Sequence, residues 1–490
     1  MTDVIRFAEI VLLVAGAGLL AVISNRLSEK VRLPAPALFL IGAAILEKVV
    51  TALLPPPEQL VERIVTIALL CILFDGGMHL GWRRFRAALA PISAIGIGGT
   101  FLTAGAAAAL CHFAFGFDWY LSLLLGTAVS PTDPAVVFSV LGRRQLDGRS
   151  GSILEGESGA NDPVGIALMA SLITAGGIDA SGIAHVAGEF LLQMGVGLAI
   201  GLLGGKGLGW FMQRVPLPSE GLYPLRTLAC AFVLYGATTL AHGSGFLAVF
   251  IAGIVVGDTR APYKREIERF HSALASLAEI VVFTVLGLTI DLGKLAHVDV
   301  WLPGLILALV VSFVIRPVLV GLCLWPIKLK RNERTFILFA GLKGAVPILL
   351  ASYLFAAQIP AGERIYNIVI IVVVFSVVFQ AGAVPAVAKA LRLPMHTVRT
   401  EPWALGVRLR DEPEGVARFT ICAKSPADGH TVEEIAELMG NVWISMAVRD
   451  AELITIRADT TLHAGDEVLI LSEPESHPEL RGVFERPAAG

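Results

Sequence analysis

Charge is scarce in this 490-residue chain. Only 16% of residues are Asp, Glu, Lys or Arg, whereas a soluble globular domain carries about 25%. Mean hydropathy is +0.74, and the 55% hydrophobic residues gather in runs of roughly 20, long enough to cross a bilayer. A wholly soluble chain is excluded, and a polytopic helical membrane protein is indicated. Cysteine is scarce too. Cys71, Cys111, Cys230, Cys323 and Cys422 are widely scattered with no CxxC pair, which fits neither a disulfide framework nor a zinc site. The net charge of −3 is neutral on nucleic acid, and no nucleic-acid partner is expected. The first apolar run follows Asp3, Arg6 and Glu9 without a basic n-region or small-residue cleavage site, so it is expected to stay as a span.

Apolar runs predict about thirteen transmembrane spans, centred near residues 15, 44, 71, 100, 128, 164, 199, 232, 250, 281, 313, 346 and 375. Basic residues concentrate in alternate loops, for example Arg83, Arg84 and Arg86, then Arg143, Arg144 and Arg149, then Lys328, Lys330, Arg331 and Arg334. The positive-inside rule then places the N-terminus outside and the C-terminal tail in the cytoplasm. In the seventh span, glycines at 197, 201, 205 and 209 make a smooth face for close helix packing. Lys206 is followed by neither Ser nor Thr, and no strand precedes these glycines, so a Walker loop is excluded.

The stretch from Ser130 to Pro163 carries Asp133, Glu157 and Asp162 inside apolar sequence. Carboxylates at that depth are costly and usually face a polar interior or pathway. Prolines flank Thr132 and Asp133, which predicts a broken helix there. A second interrupted span holds GLKGAVP, with Lys343 between glycines. The two broken spans lie seven apart, an odd number, so equivalent helices run in opposite directions. That pattern predicts two inverted repeats, spans 1–6 and 8–13, and paired broken helices mark a midplane binding site in transporters.

On a helix, Ser158 shares a face with Asp162, and Glu157 with Asn161. A carboxylate, a hydroxyl and broken-backbone carbonyls near Thr132 make a hard oxygen site for a monovalent cation. The same carboxylate can take a proton instead, so cation and proton exclude each other there. One titrating carboxylate beside non-titrating Asn161 predicts one proton per cation, with no net charge moved. Asp133 either lines the cavity or caps the broken helix. Fixed charges are expected to pair across the repeats, Glu157 with Lys343 and Asp75 with Arg316. GESG at 156–159 lacks the last glycine of a nucleophile elbow, and no His lies near it, so an enzyme is not indicated.

Beyond Pro394 the chain turns charged. The sequence divides into a membrane domain over 1–395, a linker over 396–404 and a small α+β domain over 405–490. Thr431 and Glu434 form a capping box opening a helix to about Met439. VWISMAV, ELITIR and EVLILS alternate with a period of two and predict strands. His430 and His463 are expected on the solvated surface.

FDGG at 74–77, SPTDPAVVFSVL at 130–141, ESGANDPV at 157–164, IRP at 315–317 and GLKGAVPI at 341–348 resemble the monovalent cation:proton antiporters, in the NhaP-type branch with an Asn-Asp pair. The resemblance implies a thirteen-span inverted-repeat fold, a homodimer in the cell (inner) membrane and elevator-like alternating access. It implies that Asp162 carries the cation and proton, with Thr132 and Ser158 as oxygen ligands and Asn161 and Glu157 as supporting shell. Lys343 stands where the family usually has Arg. Lys cannot fork two hydrogen bonds as a guanidinium does. The tail, chiefly from Val442 to Ser472, resembles the C-terminal lobe of RCK (TrkA-C) domains, which implies regulation, sometimes by a small ligand, and favours potassium over sodium. No cofactor is expected beyond transported K+ or Na+ and H+. The competing class is an RCK-regulated potassium channel or uniporter, but no TVGYG-like carbonyl filter occurs.

Overall fold

The computed structural model describes residues 34–49, 57–141, 144–146, 149–177, 180–397, 416–439, 443–449, 452–471 and 477–485. The chain forms two compact units, Met1–Val398 and Arg399–Gly490. The span expected near residue 15, and residues 398–404 of the expected linker, lie outside the described residues.

The first unit is helical. In order come α1 (Ala35–Val49), α2 (Glu58–Ala87), α3 (Leu89–Phe115), α4 (Trp119–Ala128), α5 (Pro134–Leu141), α6 (Arg149–Ala175) and α7 (Ala180–Arg214). They are followed by α8 (Leu222–Leu240), α9 (Gly245–Gly257), α10 (Lys264–Gly287), α11 (Val298–Leu324), α12 (Arg331–Phe339), α13 (Ala345–Ala356) and α14 (Gly362–Ala390). Each expected centre from residue 44 to residue 375 falls inside one of these helices. Among the described residues, six helices are long and apolar enough to cross a membrane. The glycine face of α7 packs as its spacing predicts: a Cβ at Gly201 would strike Ala248, and one at Gly205 would strike Ala252, both on α9.

Two interruptions organise this unit. The first separates α4 from α5 at residues 129–133, and the second separates α12 from α13 at residues 340–344. Pro134 occupies the first helical position of α5, where its missing N–H costs nothing. At the second interruption glycine makes close approach possible. A Cβ at Gly341 would overlap the Arg316 guanidinium, and one at Gly344 would overlap the Asp133 carboxylate. Among the described residues three stretches wind as π-helix, Ala94–Gly99 in α3, Val311–Val320 in α11 and Ser376–Gln380 in α14. Such bulges recur at functional sites, and the last two supply Arg316, Ser376 and Gln380 to the second interruption. The basic loop before α6 adds a feature that period and propensity did not signal. Its β1 (Arg144–Leu146) pairs antiparallel with β2 (Met395–Thr397).

Among the described residues the second unit holds a four-stranded antiparallel sheet in the order β3-β6-β4-β5. Its strands are β3 (Val416–Thr420), β4 (Trp443–Arg449), β5 (Glu452–Ile454) and β6 (Glu467–Leu471). Two helices accompany it, α15 (Val432–Met439) and α16 (His477–Phe484). Phe419, Ile435, Ile444, Val468, Ile470 and Phe484 form its core. The capping box is present: Thr431 N donates to Glu434 Oε2 at 2.8 Å, and Glu434 N to Thr431 Oγ1 at 3.3 Å. Arg449 clamps Asp466 with two bonds of 2.7 Å, and His463 N donates to the same carboxylate at 2.8 Å. Burial pushes the Asp466 carboxyl up, but these hydrogen bonds and the guanidinium charge outweigh it and hold the group below its ordinary value.

Candidate ion-binding site

The two interruptions cross and bond to each other. Asp133 N donates to Leu342 O at 2.8 Å. The Lys343 ammonium donates to Ser130 O at 2.9 Å and Pro131 O at 3.0 Å. Asp133 does the converse job. Its Oδ1 accepts from Ala135 N at 2.9 Å, and the amides of Val136 and Ala345 also point at it. An anion thus sits at the N-termini of α5 and α13, and a cation at carbonyls freed by the first break. Both placements suit the orphan groups and the partial charges of helix ends. Of the two roles open to Asp133, capping is the one its bonds display, and it also lines the cavity described below.

The second interruption has its own scaffold. Lys343 N donates to Ser376 Oγ at 2.7 Å. Gln380 Nε2 donates to Phe339 O at 2.8 Å, and its Oε1 accepts from Ser312 Oγ at 3.0 Å. Arg316 donates from Nε to Leu338 O and from Nη2 to Ile337 O, which covers the last carbonyls of α12.

The expected ion pairs are corrected here. Glu157 pairs with Arg316, not Lys343: Nη1–Oε1 is 2.7 Å and Nη2–Oε2 is 2.9 Å. Arg316 already faces the end of α12 from α11, and its planar fork matches a carboxylate. Lys343 is committed to the first break, where carbonyls need a donor. Asp75 does not meet Arg316. It lies on α2, where His79 Nδ1 is 3.3 Å away and Ser272 Oγ of α10 donates to it at 3.2 Å. Of the carbonyls at the first break, those of Ser130 and Pro131 accept from the Lys343 ammonium.

Around Asp162 the side chains form a chain of bonds. Asn161 Nδ2 donates to Thr132 Oγ1 at 2.7 Å, and Thr132 donates to Glu157 Oε1 at 3.2 Å. Ser158 Oγ donates to Asp162 Oδ2 at 3.2 Å. Two buried oxygens remain without a hydrogen-bond partner, Asp162 Oδ1 and Asn161 Oδ1. Buried acceptors of that kind are rare in native proteins and call for an explanation. Adjacent on α6, one from a carboxyl and one from an amide, they offer hard oxygen to a small cation. Among the described residues no group of three or more His, Cys, Asp or Glu is placed to hold a metal ion.

A cavity of about 830 Å³ reaches Asp162 and Ser158 from a mouth that includes exposed Arg84 and Arg149. Its wall brings in groups that sequence reasoning missed, notably His79, Glu155 and Glu279. A usable signal existed for Glu279. It is the single charged residue in the run from Ser272 to Ile290.

The sodium/hydrogen exchanger (transmembrane) family profile matches residues 17–390, and the TrkA-C domain profile matches residues 416–484. The K(+)/H(+) antiporter NhaP of Alkalimonas amylolytica is 33% identical over 479 residues, which is 95% of this chain and 81% of that protein. The K(+)/H(+) antiporter NhaP2 of Shewanella sp. (strain MR-4) is 31% identical over 422 residues, 85% of this chain and 73% of that protein. The fold is similar to that of the sodium proton antiporter MjNhaP1 from Methanocaldococcus jannaschii. That likeness has a TM-score of 0.67 at 22% identity, over 78% of this chain and 99% of that one. The chain therefore belongs to the sodium/hydrogen exchanger family and carries a C-terminal TrkA-C domain.

Proposed function

We propose that this cation:proton antiporter exchanges K+ for H+ at Asp162, one for one. The observation that carries the reading is the pair of unpartnered buried oxygens, Asp162 Oδ1 on the cavity wall and Asn161 Oδ1 on the residue beside it. A cation held there neutralises the carboxylate, and so does a proton, so the two compete. Ser158, already bonded to the carboxylate, completes the shell, and Asn161 through Thr132 ties it to the Glu157–Arg316 pair. Asn161 cannot titrate, which supports an exchange that moves no net charge.

Potassium is favoured over sodium because the relatives from Alkalimonas amylolytica and Shewanella are named K(+)/H(+) antiporters, and because TrkA-C domains accompany potassium transport. The inverted repeat and alternating access belong to the same proposal, supported by the crossing of α4–α5 with α12–α13, and the thirteen spans and the homodimer are proposed with them from the sequence resemblance. The positive-inside pattern puts the Arg84–Arg149 mouth on the cytoplasmic side.

The test uses everted vesicles with an imposed pH gradient, reading proton efflux on addition of K+ or Na+. Asp162→Asn is expected to abolish the response to both ions. Exchange by that variant at the normal rate would sink the proposal.

A further inference from the structure

The proposed exchange uses one carboxylate in the cavity, yet the wall opposite holds another with no assigned partner. Glu279 sits on α10, fifteen residues from Lys264, or about 22 Å along the helix at 1.5 Å per residue. Its Oε1 is buried and makes no hydrogen bond, and the residue lines the same cavity as Asp133, Ser158 and Asp162. Ser272, Ser276 and Glu279 all lie on the cavity wall at spacings of four and three, so they share one face of α10. Across from them, Asp75 accepts a bond from Ser272. The neighbouring groups are Asp75, His79 and Arg84 on α2, Asp133 at the break, and Arg149, Glu155 and Asp162 on α6. Arginine appears at the mouth and carboxylate deeper in.

A carboxylate oxygen on a cavity wall with no protein donor has only solvent or an ion to bind, and burying it without either is costly. It becomes reasonable when its partner is mobile. We propose that Glu279 is a second monovalent-cation position, a loading station that holds the partly dehydrated ion inside the cavity before it reaches Asp162. The proposal rests on Asp162 being the exchange carboxylate. Glu279 concentrates the cation and does not itself undergo exchange, so it governs apparent affinity and leaves the turnover step alone.

The test is K+-driven proton exchange by the full chain in proteoliposomes, measured over a range of K+ concentrations. In Glu279→Gln the KM for K+ is expected to rise about tenfold, the lower end of what a charged cleft contributes to local ion concentration. Vmax should stay within about twofold, as for loss of binding shared by ground and transition states. Glu279→Asp, which keeps the charge, should restore most of the affinity. Ser276→Lys leaves Glu279 intact but places an ammonium one turn away, and it should raise KM as well. An unchanged KM in Glu279→Gln would overturn the proposal. So would loss of Vmax in a variant that still elutes as a single folded species, since Glu279 would then be a carrier. Failure of the underlying Asp162 reading shows separately, as exchange by Asp162→Asn.

Discussion

Glu157 and Arg316, 159 residues apart in sequence, meet through two hydrogen bonds of 2.7 and 2.9 Å. Their side chains are only 2% and 4% exposed, so neither charge has water to fall back on. Arg316 also holds the last carbonyls of α12, and Glu157 holds Thr132. One pair therefore joins α6, α11, α12 and the first break. Removing one partner leaves a buried charge uncompensated, which costs about 3–5 kcal/mol. Arg316→Met is expected to lower thermal stability in detergent by that order. A melting curve that overlays the native one would contradict the assignment.

Lys343 secures the first break from the second. Lys343→Met removes two charge-assisted bonds to carbonyls, each worth about 1.5–3 kcal/mol. The α4–α5 crossing should loosen, and transport should fall by at least about tenfold, since 1.4 kcal/mol corresponds to a factor of ten. Glu157, being paired elsewhere, should keep its partner. Lys343→Arg keeps the donors and should retain measurable exchange. The comparison is made in everted vesicles, and full activity of Lys343→Met would remove Lys343 from the scaffold.

The broken helices were legible because proline and glycine restrict or free the backbone locally, and local chemistry is what sequence displays best. Ser158 beside Asp162, and the Thr431–Glu434 capping box, followed from helical spacing for the same reason. Ion-pair partners were not legible. Arg316 and Lys343 are both cations in the distant half, and only the π-helical winding of α11 and the direction of the second break decide which one reaches Glu157. Glu279 was missed because a lone acid in an apolar run marks a polar lining but has no spacing that names its neighbours. Glu155 was missed although its spacings of three and seven put it on the face of Ser158 and Asp162. β3 and α16 escaped because short segments offer too few repeats of either period.

The neutrality of Asn161 has an electrical consequence. If one cation replaces one proton at Asp162, the turnover rate should not respond to membrane potential. Proteoliposomes whose potential is set by a gradient of a permeant anion, assayed for K+-driven proton movement at fixed K+ and pH gradients, should give the same rate within error. A rate that changes several-fold per 100 mV, where one charge crossing the membrane is worth about 2.3 kcal/mol, would show that charge moves.

In the C-terminal domain Arg449 and Asp466 give a pH signature with a definite sign. The Asp466 carboxyl is held below its ordinary value in the folded state, so its contribution is fully present above the unfolded-chain value, about 3.9. It is lost only as pH falls through the lower folded value. Hydrogen exchange of the β4 and β6 amides in the full chain measures this. Asp466→Asn is expected to reduce their protection by about 1–3 kcal/mol at pH 7, the cost of disrupting hydrogen bonds to a buried charged group. The difference between native and variant should stay constant from about pH 5 to 8 and shrink below about pH 4. A difference that varies between about pH 6 and 8 would point to a histidine, the group that ordinarily titrates there, and away from Asp466.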